Sequence, residues 1–116
     1  AGRYRGTISY SEYNTCGVNI PGSGTVSILI TSSGDFVYDT SGLTWGGGYG
    51  TFTCKGCVSG STIKGTFTSQ KSGYKYSIDA RINDGGATVS GTGSLEGNYG
   101  SCYEKYQGAF AATRVG

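Results

Sequence analysis

A chain of 116 residues with a formal net charge of +2, no histidine and no methionine excludes several common functions at once. Without histidine it lacks the usual general base and the commonest metal ligand near neutral pH. Its nine Lys and Arg, scattered from Arg3 to Arg114, form no basic stripe for nucleic acid, and no segment approaches the ~18 apolar residues of a membrane-spanning helix.

The length fits one domain over 1–116. Leu, Ile, Val and Phe supply only 20 residues, but ten Tyr and one Trp add ring surface, each ring burying roughly 150–250 Å². A folded domain with a thin core is expected, of the kind in which disulfides contribute most. Four cysteines in a small polar chain point to disulfides and an oxidising compartment. The start at Ala1 resembles the product of signal cleavage, so a secreted chain is expected: extracellular, at a cell surface, or in a periplasm.

The first predicted strand covers 4–10 and carries Tyr4-x-Gly6-x-Ile8 on one face. An aromatic cluster, Tyr10-Ser11-Glu12-Tyr13, follows it and leads to the isolated Cys16. Val26, Ile28 and Ile30 then share a face, Ser32-Ser33-Gly34-Asp35 turns, and Phe36 and Tyr38 return as the partner strand. In Leu43-Thr44-Trp45-Gly46-Gly47-Gly48-Tyr49, three glycines separate two aromatic platforms. Trp45 and Tyr49 are the best candidates for stacking on a sugar or docking a protein; Trp45 as a plug in one end of the core is the competing reading.

A strand over 49–54 runs into Cys54-Lys55-Gly56-Cys57. As a redox pair this C-x-x-C would open a helix, and as half a zinc site it would need a second paired knuckle. Neither follows, so a disulfide across a tight turn is expected, with Gly56 at positive φ. Strands are predicted over 61–68, with Ile63-x-Gly65-x-Phe67, and over 74–82, where every even position is apolar. Asn83-Asp84-Gly85-Gly86 turns the chain into Ala87, Val89 and the extended pattern Val89-x-Gly91-x-Gly93-x-Leu95. Tyr99-Gly100-Ser101-Cys102-Tyr103, with Tyr106, forms a further aromatic cluster. Beyond it, 104–114 also fits a helical stripe, but Gly108 in Tyr106-x-Gly108-x-Phe110 and the period of two favour a strand.

These segments give an all-β fold of about eight strands: one small antiparallel β-barrel or strongly curved β-sandwich, stapled by disulfides. Repeated glycine on the core face suits sharp coiling, because a ring from the next strand can lie over each gap. If Cys54 pairs with Cys57, then Cys16 pairs with Cys102. That bridge encloses most of the chain, stabilises by up to about 4.5 kcal/mol in a chain-entropy treatment, and is expected to hold the seam of the closed sheet. The two alternative pairings would join 54–57 to both ends.

The seven carboxylates are dispersed over turns and polar strand faces, so paired-acid hydrolysis is not expected. No metal or cofactor is implied. The composition points to a non-enzymatic extracellular module acting through surface contacts, foremost protein–protein assembly or self-assembly. Carbohydrate binding is the alternative, and a protease inhibitor or secreted effector comes third. The contact candidates are Trp45 and Tyr49, together with Tyr10, Tyr13, Tyr99, Tyr103 and Tyr106.

Overall fold

The computed structural model describes residues 2–17, 20–39, 51–68 and 74–115. Nine strands fill most of this: β1 (Gly2–Asn14), β2 (Ile20–Ile30), β3 (Phe36–Asp39), β4 (Thr51–Cys54), β5 (Val58–Ser59), β6 (Thr62–Thr68), β7 (Lys75–Asn83), β8 (Thr88–Tyr99) and β9 (Cys102–Arg114). Eight match the expected segments, and the ninth is the two-residue β5. Residues 104–114 are strand, and the only helical element described is a 3-10 turn over Asp84–Gly86. At that turn Asp84, Gly85 and Gly86 all have positive φ, between 54° and 101°.

All nine strands form one antiparallel sheet, ordered β4-β3-β2-β1-β9-β8-β7-β6-β5. The first and last strands of the chain therefore pair in its middle, from Tyr4↔Arg114 to Asn14↔Glu104. Two meanders lead outward from this pair and end on β4 and β5, which are consecutive in the chain. In a flat nine-stranded sheet those edges would lie roughly 38 Å apart. The three residues between Cys54 and Val58 could span only about 14 Å fully extended. The connectivity therefore forces the sheet to curl, and it does so as a half-barrel rather than a sandwich. The strands of 11 to 13 residues draw it out to 43 × 24 × 19 Å.

Alternation puts one face of each strand inside. The core joins Ile8, Val26, Ile28, Ile30, Ile63, Ile78 and Val89 to buried rings. Tyr38 is central, with centroids 6.1 Å from Phe36, 5.5 Å from Tyr76 and 6.2 Å from Phe110. Burial pushes the Tyr38 and Tyr76 hydroxyls well above the usual tyrosine range, so both remain protonated inside.

Both expected disulfides are present, each with a Cα–Cα distance of 5.6 Å, but their roles differ from the expected ones. Cys16–Cys102 extends the β1–β9 ladder, beside Thr15 N–H donating to the Tyr103 carbonyl at 3.1 Å. It thus fastens the middle of the sheet, not its seam, because the chain termini pair centrally. The seam belongs to Cys54–Cys57, which links the two edge strands. There Gly56 has φ +70°, and its N–H donates to Asp35 Oδ1 at 2.9 Å. Val58 N–H donates to the Gly34 carbonyl at 2.9 Å, and Lys64 N–H to the Cys57 carbonyl at 3.0 Å. The bridge lies against Gly65 of β6, where an added Cβ would come within 2.5 Å of Cys57 Sγ.

Candidate functional site

At the stapled end, β1, β8 and β9 run on beyond the rest of the sheet and carry most of the predicted tyrosines. Their parity divides those residues between two faces. Tyr10, Glu12, Glu104 and Tyr106 point inward. The Tyr106 hydroxyl donates to Glu12 Oε2 at 2.9 Å, and Tyr10 meets Tyr106 edge-on at 6.2 Å. Glu104, the one buried charged residue among those described, accepts from the Tyr74 hydroxyl at 2.9 Å and from Asn14 Nδ2 at 3.1 Å. Tyr10 and Tyr106 thus serve the interior, with Tyr106 buried and Tyr10 half-buried.

Tyr13 and Tyr103 point outward. The Tyr103 hydroxyl donates to Glu96 Oε2, and that carboxylate raises its pKa above the usual tyrosine range, with Tyr13 adding a smaller push. Tyr13 is 53% exposed, one of two exposed large apolar side chains among the described residues. Register places Tyr13, Lys105, Glu96 and Lys75 in one line across β1, β9, β8 and β7. The result is an outer patch of two rings beside alternating charges on a ladder that a disulfide holds rigid. Tyr99 ends β8 opposite Cys102. Its side chain, and Trp45 and Tyr49 altogether, lie outside the described residues.

A second site was not legible in the sequence. A trough of about 880 Å³ crosses the outer face of β1, β9, β8, β7 and β6. Its lining consists of three successive cross-strand rows. Two rows face outward: Ser9, Ala109, Thr92, Asp79 and Lys64, then Ser11, Gln107, Ser94, Ser77 and Thr66. The row between them is Tyr10, Gly108, Gly93, Ile78 and Gly65, whose side chains, where present, point inward. Three of these five positions are glycines in register, packed closely from within by the Cys54–Cys57 sulfurs at Gly65 and by Tyr76 at Gly93. The signal lay in the repeated apolar-x-Gly-x-apolar pattern, but only the strand register shows that Gly65, Gly93 and Gly108 align.

The acids are engaged rather than poised in pairs. Glu12, Glu96 and Glu104 each accept a tyrosine hydroxyl. Asp35 takes the Gly56 N–H, Asp84 takes the Thr88 hydroxyl at 3.4 Å, and Asp79 stands 4.0 Å from Lys64. No group of three or more potential metal ligands occurs among the described residues, and no helix of the described chain is long and apolar enough to cross a membrane. Comparison with family models, curated proteins and solved structures gives no match.

Proposed function

We propose that this chain is a non-enzymatic extracellular β module that self-assembles through the outer patch of its stapled end. The observation that carries the reading is Tyr13, a large exposed ring beside Tyr103 on a disulfide-fastened ladder. An aromatic anchor held in place before docking costs little entropy on binding, and such rings are enriched among the residues that dominate interfaces. Lys105, Glu96 and Lys75 would form the polar rim and set orientation. Two disulfides suit an oxidising, extracellular setting. The tyrosine-bound carboxylates support a passive role, because an acid already serving as a structural acceptor is poorly placed for proton transfer.

Sedimentation velocity over a range of concentrations tests the reading. The parent should form a defined larger species, and Tyr13→Ala or Tyr103→Ala should shift it to monomer while circular dichroism and the disulfide map stay unchanged. Assembly that survives both substitutions, or a hydrolytic activity lost on Asp39→Asn or Asp79→Asn, would refute it.

A further inference from the structure

We infer that the transverse trough binds a neutral, linear polysaccharide lying across the strands. Its volume of about 880 Å³ falls in the usual range of ligand sites, roughly 300–1,000 Å³. It crosses five strands, roughly 19 Å at ~4.8 Å per strand. A polymer can run through such a trough, and one polar side chain per strand gives a repeat close to the length of a sugar unit in an extended chain.

The lining presents side-chain hydrogen-bonding groups that the fold leaves unused, as it also does at Thr7 and Thr113 on the same face, but here they are gathered along one trough. Nearby hydroxyl groups are used internally: Ser90 Oγ accepts from Asn83 Nδ2 at 3.0 Å, Thr88 donates to Asp84, and Thr15 Oγ1 accepts the Tyr103 N–H at 2.9 Å. Among the described residues Ser9, Ser11, Ser77, Thr92, Ser94 and Gln107 have no such side-chain partner. Each hydroxyl can donate one bond and accept two, and the amide does both. A ligand rich in hydroxyls matches that mixture, whereas an anion or a cation would use only half of it. The single ion pair at one end, Lys64 with Asp79, leaves no net charge to select a charged polymer.

A peptide fits less well. The backbone groups of β1, β7, β8 and β9 at these rows are paired on both sides by the sheet ladders, so no strand can be added there. Individual hydroxyl contacts are weak, so binding should depend on several consecutive sugar units.

The test is depletion of the intact, disulfide-bonded protein by insoluble cellulose and chitin, and affinity electrophoresis in xylan and a β-1,3-glucan, with alginate and heparin as charged counterparts. At least one neutral polymer should retain the protein, and retention should persist in ~1 M NaCl, which screens exposed charges. Ala109→Lys and Thr92→Lys put long charged side chains into the trough from exposed positions and should weaken retention at least about tenfold. Thr113→Lys, on the same face outside the trough, and Tyr13→Ala should bind as the parent does. The second comparison separates this inference from the assembly reading. Retention by no neutral polymer, retention only by charged ones, or full retention by both trough variants would overturn it. Loss of self-association rather than of polysaccharide binding in the trough variants would assign the trough to a second copy of the chain and equally overturn it.

Discussion

The Glu104 carboxylate is the buried acid on which several polar groups converge. Tyr74 and Asn14 both donate to it, and the residue just before β7 thereby reaches β1 and β9. Removing the acceptor takes from a buried hydroxyl its bond to a charged group, at a cost of about 1–3 kcal/mol. Glu104→Ala should therefore lower the urea midpoint clearly, while Glu104→Gln, which keeps an acceptor oxygen, should lose much less; equal losses would show that packing rather than hydrogen bonding matters at this position. A second prediction concerns pH. Tyr38 and Tyr76 have folded-state pKa values raised by burial, and Tyr103 by its bond to Glu96. The native state thus holds these protons more tightly than the unfolded chain, so stability is full below the unfolded value of about 10 and falls as pH rises beyond it. Phenolate absorbance should show at least two of the ten tyrosines ionising only as the protein unfolds. All ten titrating reversibly near the ordinary value in a folded protein would contradict the buried placement. Alternation in the sequence marks Tyr74 and Tyr76 as inward-facing, but the bond from Tyr74 to Glu104 joins residues 30 positions apart across the intervening β8 and could not be read locally.

Among the elements, the in-register glycines and the two disulfides bear most on shape. The sequence pattern marks Gly65 and Gly108 as in-facing, and the structure bears this out. A Cβ on Gly65 would meet both sulfurs of the seam disulfide, and one on Gly108 would lie 2.9 Å from the Ser9 carbonyl oxygen. Gly65→Val and Gly108→Val should each destabilise by about 1–3 kcal/mol through overpacking. Gly17→Val, where nothing lies within 4 Å, should cost less in the same thermal melt, and equal melting of all three would refute the packing argument. The disulfides separate by loop length. Cys16–Cys102 spans 86 positions and Cys54–Cys57 only 3. In the chain-entropy treatment the long bridge is worth about 4.5 kcal/mol and the short one much less. Replacing Cys16 and Cys102 by Ala should lower global stability. Replacing Cys54 and Cys57 should instead raise amide exchange locally in β4, β5 and β6, and the reverse assignment would contradict the seam described above. Strand identity was legible because alternation is strong in most segments, with 104–114 also fitting a helical stripe and the two-residue β5 too short to show a pattern. The position of the seam was not, since it depends on the termini pairing centrally, and no local pattern encodes that.

For the whole molecule, one connectivity accounts for the shape and for both candidate surfaces. Pairing β1 with β9 at the centre builds the extended, stapled end, and bringing β4 next to β5 through three residues forces the curl. The row of aligned glycines lies in the middle of the trough on the outer face. Composition foretold a small, stapled, glycine-shaped β domain, and the aromatic clusters foretold that one end would be rich in tyrosine. Which rings face outward required register: Tyr10 and Tyr106 turn inward to meet each other and Glu12, and that leaves Tyr13 and Tyr103 as the candidate anchors among the described residues. The claim that this end makes the functional contact is tested most directly by negative-stain microscopy of the concentrated protein, parent beside Tyr13→Ala. The account predicts defined particles or filaments in the parent and dispersed single domains in the variant, with the fold intact in both. Dispersed single domains in the parent, or identical assemblies from both proteins, would contradict it.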